Sequence, residues 1–292
     1  MGAFKGIIPP VLTTFDSEGN IDEKRYLNLI DFLSRRVHGL FVCGTYGGGP
    51  LMTVDERKKV TELAIKGAAD RVPVIAHIGS SNPNDIFELA KHAEQAGAKA
   101  VATVVPFYFP YSQADIVRFF KKLIETTALP VFIYNNPKTT GVTIDIETLK
   151  KLRDVGLYGI KDSTFDLLYF YGVKFNMDMD NFCYISGTEA FIIPSIPLGA
   201  DAAICGLANA LPEPVVELYE KSVEGNYEKA LELQLRVNKL RDIQHYAQSI
   251  PAIHAMLKMR GIDSGYPRHP YSLVSDSVYQ KIEDALKEMK AL

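Results

Sequence analysis

Cysteine is scarce in this 292-residue chain, which has only three, Cys43, Cys183 and Cys205. Each lies within an apolar run, and no two of them have the C-x-x-C spacing of a redox or zinc motif. This usage is typical of buried, reduced thiols in a reducing compartment. We therefore expect a cytoplasmic protein.

An excess of basic charge is also missing. The formal net charge is -3, and the basic residues do not cluster, which disfavours nucleic-acid binding. The apolar runs are interrupted by Pro or Gly and are too short to cross a bilayer. The N-terminal segment lacks the apolar core and cleavage site of a signal peptide, and Gly6 stands where myristoylation needs Ser or Thr. The sequence thus predicts neither a nucleic acid nor a membrane as a partner.

Metal and nucleotide motifs are missing as well. The six histidines show neither HxxxH nor HExxH spacing, so we expect no metal. His77 falls in a strand-like run and is interpreted as a core or barrel-mouth histidine whose polar atoms are satisfied. The glycine run at 47–49 lacks the trailing Gly-Lys-Ser/Thr of a phosphate loop. We therefore expect no cofactor.

The chain does contain a regular alternation of apolar and amphipathic segments. Short runs rich in Val, Ile, Phe and Ala alternate with amphipathic stretches about 12 to 18 residues long, the length of helices. Nearly continuous apolar runs are typical of parallel strands buried on both faces. The eight predicted strands are residues 6–15, 39–44, 73–79, 100–106, 130–136, 158–162, 182–187 and 202–207.

Eight alternating βα units indicate either a barrel or a large doubly wound sheet. They occupy about 210 residues, near the usual size of a barrel. No GxGxxG follows the first strand, as a Rossmann sheet would often show. We therefore predict an α/β fold, a (β/α)8 TIM barrel over residues 1–211. Residues 212–292 are predicted to form a C-terminal helical extension packed on the barrel, within a single structural unit.

The sixth predicted strand carries a lysine near its C-terminal end, where barrel enzymes place their chemistry. Lys161 is expected to point into the barrel, where an unpaired ammonium costs several kcal/mol. One interpretation is a salt bridge with Asp162 or Glu189. The other is a nucleophilic amine, because desolvation lowers the pKa of a lysine that is otherwise about 3 units too basic at neutral pH. Position alone leaves both interpretations open.

Tyr134 and Tyr108 lie at the ends of neighbouring predicted strands, and Thr45 adds a hydroxyl nearby in barrel order. A single tyrosine is more often a packing residue, since the chain has fifteen. The joint placement of these three with Lys161 predicts a relay that moves a proton to and from a carbinolamine.

Five motifs resemble those of the dihydrodipicolinate synthase/N-acetylneuraminate lyase superfamily of class I aldolases, and the resemblance runs from Gly6 to about Pro270. The motifs are Gly44-Thr45-x-Gly47, Pro106-x-Tyr108, Tyr134-Asn135-x-Pro137-x-x-x-Gly141, Lys161-Asp162-Ser163 and Ser186-Gly187-x-Glu189. Together they are highly specific. The resemblance implies a Schiff-base aldolase on a TIM barrel.

The resemblance also implies roles for the residues. Lys161 is expected to form an imine with pyruvate or a pyruvate-derived 2-keto acid, and Tyr134 to transfer the proton. Thr45 and Tyr108 resemble the rest of the relay. The residue matching Tyr108 is often inserted from a neighbouring subunit in the family, so we expect a homo-oligomer, by resemblance a tetramer. The pyruvate carboxylate is expected at Thr45 and Tyr46, because backbone amides bind an anion without a positive side chain.

The predicted substrate contacts lie in the same motifs and strand ends. They are Pro10, Thr45, Tyr46, Thr139, Gly187, Thr188, Glu189 and Gly206. Among them, Tyr46, Thr139, Thr188 and Glu189 are expected to supply partners for substrate hydroxyls.

Departures from the family motifs favour one substrate. Thr139 stands where synthases carry an arginine for the carboxylate of the second substrate, and Ala190 replaces the second acid of the sialic acid lyases. Tyr111 stands where relatives that accept phosphate carry an arginine, although Lys138 offers a point charge. The segments 48–51, 206–213 and 265–270 look more like archaeal-type 2-keto-3-deoxygluconate aldolases. These enzymes cleave the sugar acid to pyruvate and glyceraldehyde.

We therefore expect a lyase that acts on non-phosphorylated 2-keto-3-deoxygluconate-type acids. Dihydrodipicolinate synthase and N-acetylneuraminate lyase activities are the alternatives within the family. A non-catalytic barrel that binds a keto acid is an alternative of another class. Tyr46 keeps that alternative open, because its side chain is bulkier than the usual threonine and could crowd the carboxylate site.

Overall fold

The centre of the molecule is a cylinder of eight parallel strands, seen in a computed structural model that describes residues 4–292. Hydrogen-bonded neighbours follow the order β1-β8-β7-β6-β5-β4-β3-β2. This confirms the predicted TIM barrel, and each strand lies within its predicted range. The strands are β1 (Gly6–Ile8), β2 (Leu40–Val42), β3 (Val74–His77), β4 (Ala100–Thr103), β5 (Val131–Asn135), β6 (Gly159–Asp162), β7 (Cys183–Ser186) and β8 (Ala202–Ile204).

The prediction was wrong about the length of β1, which was expected to run to residue 15. Pro9 and Pro10 follow the strand, and proline has no N–H to donate to a ladder. The barrel closes between β1 and β2 through two backbone hydrogen bonds instead. Val11 donates to the carbonyl of Phe41 at 2.8 Å, and Phe41 donates to the carbonyl of Pro9 at 3.0 Å.

The helices around the barrel begin and end at residues suited to those positions. Thr53 and Glu56 form a reciprocal capping box before α2, and Asn82 with Pro83 begins α3. Gly97 ends α3 with φ +93°, a backbone conformation that favours glycine. These helices are α1 (Glu23–Ser34), α2 (Val54–Ala68), α3 (Pro83–Ala96), α4 (Gln113–Ile124), α5 (Pro137–Thr140), α6 (Ile146–Asp154), α7 (Leu167–Asn176) and α8 (Ile192–Ser195).

The interior of the barrel is a packed apolar core. Ile8, Phe41, Ile75 and Phe132 are all buried there, and the ring of Phe4 lies 5.4 Å from that of Phe132, edge to face. Most of the remaining core lies between the sheet and the helices. A polar side chain inside the barrel therefore has few polar partners.

Four helices follow β8 and form the C-terminal extension. They are α9 (Pro212–Val223), α10 (Tyr227–Gln244), α11 (Ser249–Met259) and α12 (Asp276–Glu288). α9 packs against β1 and α10, and α10 packs against α8, α11 and α12. Within residues 4–292, none of the helices combines the length and apolarity that a membrane crossing needs.

A buried asparagine ties the end of β8 to the chain that follows β1. The side chain of Asn209 accepts a hydrogen bond from the backbone N–H of Leu12 and donates to the carbonyls of Pro10 and Gly206, each at 3.1 Å. It is fully buried. These three bonds stabilise the rim of the barrel beside the missing continuation of β1.

We expect Asn209→Ala to lower the free energy of unfolding by about 2–4 kcal/mol. Each lost hydrogen bond contributes about 0.5–1.5 kcal/mol, and the stranded backbone groups stay buried. Urea unfolding followed by circular dichroism measures the change. Asn84→Ala, at an exposed position of α3, is the matched control and should change the value by less than about 0.5 kcal/mol. Equal losses in both variants would contradict this assignment.

Candidate active site

A cavity of about 610 Å³ opens at the C-terminal ends of the strands. Three of the four predicted catalytic residues, Thr45, Tyr134 and Lys161, line it. The predicted substrate contacts also line this cavity: Pro10, Thr45, Tyr46, Thr139, Gly187, Thr188, Glu189 and Gly206. The structure thus brings together residues from almost the whole length of the barrel sequence.

Lys161 and Tyr134 face each other inside the barrel. Their Cα atoms are register partners between β6 and β5, so both side chains leave the sheet on the same face. The Nζ atom of Lys161 lies 3.2 Å from the centroid of the Tyr134 ring and 5.1 Å from that of Phe41. Both Lys161 and Tyr134 are buried. The amine of Lys161 therefore packs against aromatic rings, which shield it from solvent.

Burial lowers the pKa of Lys161 below its usual value, although the neighbouring Tyr134 hydroxyl and Asp162 carboxylate act in the opposite direction. The salt-bridge interpretation finds no support, because both candidate carboxylates have other partners. Asp162 accepts hydrogen bonds from Tyr184 at 2.8 Å and from Thr164 at 3.0 Å. Glu189 instead faces an arginine. A buried amine that loses its proton readily is a nucleophile.

The hydroxyl of Tyr134 lies among polar groups. Its Oη atom is 3.5 Å from Oγ1 of Thr45 and accepts a hydrogen bond from Nδ2 of Asn136 at 3.1 Å. Burial tends to raise the pKa of Tyr134. The charge of Lys161 and hydrogen bonds with Lys161, Thr45 and Ser163 outweigh burial and lower it. The hydroxyl is thus suited to giving up and regaining a proton.

The turn that carries Thr45 has an unusual backbone. Cys43 adopts a positive φ of 57°, and its carbonyl oxygen lies so close to Gly49 that a Cβ there would be 1.8 Å away. Only glycine fits at position 49 without displacing the turn. The glycine run at 47–49 therefore allows the tight turn that carries Thr45.

His77 supports the same turn. Its Nδ1 atom lies 3.1 Å from the carbonyl oxygen of Cys43, whereas Nε2 is buried without a hydrogen-bond partner in the described part of the chain. The prediction of a fully satisfied histidine was wrong for Nε2. Burial, with the charges of Arg57 and Lys161, lowers the pKa of His77 to about 3. The imidazole is therefore neutral at physiological pH and packs against Tyr134.

Tyr46 lies along the cavity wall. Its hydroxyl accepts a hydrogen bond from Nε2 of Gln244 at 2.9 Å. A Cβ at Gly206 would lie 2.4 Å from this hydroxyl, so the tyrosine occupies space that the glycine leaves free. The bulk expected to crowd the site is accommodated in this way.

One part of the cavity wall carries charged and basic side chains from both the barrel and the extension. The Nε atom of Arg241, on α10, lies 3.5 Å from Oε1 of Glu189, which is buried. Burial raises the pKa of Glu189, while backbone N–H groups and Arg241 act in the opposite direction. His245 and Lys138 line the cavity as well. The wall therefore combines one carboxylate with several cationic or basic groups.

Sequence reasoning missed Arg241, His245 and Asn136 as site residues. Arg241 and His245 lie four positions apart and share a helix face, but their segment lies beyond the strand ends where catalytic residues were sought. Asn136 is the first x in the motif Tyr134-Asn135-x-Pro137, a position at which the motif allows any residue. Its place directly after β5 was the available signal.

Tyr108 is apart from the other predicted catalytic residues. It does not line the cavity, its side chain is 85% exposed, and its φ is +89°. Phe109 beside it is 63% exposed, with the two rings 5.0 Å apart. Within one chain, the structure does not bring Tyr108 to the cavity.

Among residues 4–292, no group of three or more His, Cys, Asp or Glu side chains is arranged to hold a metal ion. The three cysteines are free and buried.

Almost the whole chain is similar to proteins of one known family. A model of the Dihydrodipicolinate synthetase family matches residues 3–289. The chain is 29% identical over 291 residues to 4-hydroxy-tetrahydrodipicolinate synthase of Methanothrix thermoacetophila, covering 99% of this chain and 98% of the relative. It is 32% identical over 286 residues to the Parvibaculum lavamentivorans protein of the same name, covering 97% and 98%.

A solved structure is also similar. It is YagE, a prophage protein of the dihydrodipicolinic acid synthase family from E. coli K12, in complex with pyruvate. The TM-score is 0.95 at 27% identity, and all of both chains is covered (100% each).

The buried amine leads to a prediction about stability. Because the native chain holds the Lys161 proton less tightly than the unfolded chain, this residue destabilises the fold below its native pKa. The penalty shrinks as pH rises towards about 10.5, the unfolded value. We expect Lys161→Met to raise the free energy of unfolding by about 0.5–2 kcal/mol at neutral pH and by less near pH 10.

Urea unfolding at several pH values tests this expectation. Lys91→Met, at an exposed position of α3, is the control and should show no such trend. A Lys161→Met variant less stable than the unchanged chain at neutral pH would refute it.

Proposed function

The chain belongs to the dihydrodipicolinate synthetase family of class I aldolases and lyases, and from this premise we propose that it cleaves 2-keto-3-deoxygluconate-type sugar acids to pyruvate and glyceraldehyde. Lys161 is the proposed imine-forming residue. The observation that carries the proposal is the buried Nζ of Lys161, 3.2 Å from the Tyr134 ring, in a cavity that Thr45 also lines.

Imine formation needs a neutral amine and a source of protons. In the proposed reaction, Nζ of Lys161 attacks the C2 carbonyl carbon of the keto acid, and the resulting carbinolamine takes a proton from Tyr134. Water leaves and an iminium remains on Lys161. The lowered pKa of Lys161 supports the first step, because it enlarges the neutral fraction at physiological pH.

The same tyrosine serves the cleavage of the carbon–carbon bond. The Tyr134 phenolate takes the proton of the C4 hydroxyl, the C3–C4 bond breaks, and its electron pair moves into the enamine. Glyceraldehyde leaves. Protonation of C3 and hydrolysis of the iminium then release pyruvate and regenerate the amine. General acid–base help of this kind typically contributes about 10²–10⁴ in rate.

Backbone groups of the Thr45 turn are proposed to bind the pyruvate carboxylate. Thr45 and Tyr46 line the cavity beside Lys161, and backbone N–H groups in such turns bind anions. The similar structure of YagE was solved in complex with pyruvate, which supports pyruvate as a ligand of this chain. Pro10, Gly187 and Gly206 complete the proposed contacts as wall residues close to the reacting carbon.

The sugar tail is proposed to meet hydroxyl and carboxylate groups. Thr139, Thr188 and Glu189 line the cavity with Tyr46 and match the hydroxyl groups of a six-carbon sugar acid. Arg241 faces Glu189, which keeps the carboxylate paired. A neutral polyol needs no further charge from this wall.

A second candidate reaction is that of 4-hydroxy-tetrahydrodipicolinate synthase, the name carried by the two relatives. Arg241 and Lys138 favour it, because they bring cations to the cavity wall where the carboxylate of a second substrate needs one. Thr139, in place of the family's arginine, argues against it. The same cations are the groups that a phosphorylated sugar acid would use.

Two experiments test the proposal. Incubation with pyruvate followed by borohydride reduction should attach the pyruvate-derived group to Lys161, identified by peptide mass spectrometry, and Lys161→Met should show none. Pyruvate is then offered with glyceraldehyde, glyceraldehyde 3-phosphate, N-acetylmannosamine and aspartate semialdehyde. We expect the highest kcat/KM with glyceraldehyde.

The outcomes separate the alternatives. An adduct on another lysine, or none, refutes the imine. An adduct on Lys161 without turnover favours the non-catalytic keto-acid-binding barrel. A tenfold higher kcat/KM with aspartate semialdehyde or with the phosphorylated aldehyde would show that the proposed substrate is wrong, while the proposed imine would stand.

We further propose a homo-oligomer, a tetramer by family resemblance, in which Tyr108 of the partner subunit completes the relay at Tyr134. The exposure of Tyr108 and Phe109 supports this, since adjacent exposed aromatic rings are typical of a contact surface. Tyr108→Phe and Lys161→Met should each have low activity alone. Mixed oligomers, formed by unfolding and refolding the two variants together, should regain activity because some sites receive both intact residues.

Sedimentation velocity and an aldolase assay provide the measurement. The control mixes Tyr108→Phe with Tyr108→Phe that carries a purification tag, which should regain nothing. A fully active monomer, or no regained activity in mixed oligomers that sedimentation shows to have formed, would contradict an action across subunits.

A further inference from the structure

Asn136 is the first residue after β5 and precedes the short helix α5. It is the N-cap residue of α5, yet its side chain makes no capping hydrogen bond there. The side chain lies in the wall of the cavity instead, where it is buried. Its Nδ2 atom is 3.1 Å from Oη of Tyr134.

The backbone of Asn136 is held independently of this side chain. Its carbonyl oxygen accepts hydrogen bonds from the backbone N–H groups of Thr139 and Thr140, each at 3.1 Å. The hydroxyls of the same two threonines donate to it at 3.2 and 3.1 Å. The amide group is therefore free of a structural task in α5, and a substitution of the side chain leaves these contacts in place.

An amide N–H can only donate, so it requires Oη of Tyr134 to act as the acceptor of this bond. The proton of Tyr134 must then point away from Asn136, towards the other polar neighbours of the hydroxyl, which are Thr45, Lys161 and Ser163. A donor also favours the phenolate over the phenol, because hydrogen bonds to a charged oxygen are stronger. The hydrogen bond from Asn136 therefore turns the Tyr134 proton away from Asn136. It also stabilises the phenolate that forms when Tyr134 loses this proton.

We propose that Asn136 is a positioning residue that directs the Tyr134 proton into the site and stabilises the phenolate left behind. This inference rests on the proposed function, in which Tyr134 transfers protons. Asn136 acts through Tyr134 and needs no contact with the substrate.

A double-mutant cycle tests the inference in the full-length protein. Asn136→Leu keeps the approximate shape of the side chain and removes the donor. We expect kcat for the aldol reaction of pyruvate with the best aldehyde to fall about 10- to 100-fold, the size of one lost hydrogen bond to a charged group, with little change in KM. In the Tyr134→Phe background the same substitution should lower kcat by less than about threefold, because the oxygen it served is absent.

The pH profile of kcat supplies a second reading. Lys161 from β6 and His77 from β3 also face Tyr134, and both are unchanged in these variants. Loss of the donor raises the pKa of Tyr134, so the limb of the profile that disappears in Tyr134→Phe should move to higher pH in Asn136→Leu. Asn136→Asp, which adds a negative charge beside the phenolate, should move it further in the same direction.

Two results would overturn the role of Asn136. One is an equal loss of kcat in the Tyr134 and Tyr134→Phe backgrounds, and the other is a limb at the same pH in all three proteins. Borohydride trapping with pyruvate separates this failure from failure of the proposed function. If the unchanged enzyme yields the Lys161 adduct while either result is found, only the Asn136 inference is wrong. If the unchanged enzyme yields no adduct at Lys161, the proposed function itself is wrong.

Discussion

The pairing of Tyr134 with Lys161 across β5 and β6 is the constraint on which the rest of the site depends. Parallel register sets the two residues side by side on the inner face of the barrel, where Phe41 and the apolar layers below bury the amine. Removal of water lowers the pKa of Lys161, and the same proximity lowers that of Tyr134. A single slip of register would turn one of the two side chains out of the barrel and abolish both effects.

Much of the fold was predictable because a parallel sheet buried on both faces leaves a strong signal. All eight apolar runs contain strands, and the ends of those runs correctly placed Lys161, Tyr134 and Thr45 at one cavity. The error at β1 has a physical cause of its own. The run from Gly6 to Phe15 is apolar enough to be a strand. However, Pro9 and Pro10 have no N–H to donate to the sheet, and the apolar pattern on which the prediction was based carries no information about hydrogen-bond donors.

The parts of the site that escaped prediction come from outside the strands or from long-range geometry. Arg241 reaches the cavity because α10 packs across α8 and α9, a contact that no local pattern encodes. The bond from Asn136 to Tyr134 depends on an unusual backbone at the start of α5, which a residue type alone does not reveal. Tyr108 lies on the surface of the chain, so the role proposed for it depends on an assembly that one sequence does not reveal.

The division of the cavity between barrel and extension has a consequence for how such a protein diversifies. The proposed imine lysine, its tyrosine and the turn that carries Thr45 all belong to the first 211 residues, whereas Arg241 on α10 and His245 directly after it belong to the C-terminal extension. The barrel therefore supplies the groups proposed for the reaction and for the polyol, whereas the extension adds cationic and basic groups to the cavity wall. Recombination or drift confined to the extension can therefore change the charge of the cavity wall while the barrel residues proposed for the chemistry stay unchanged.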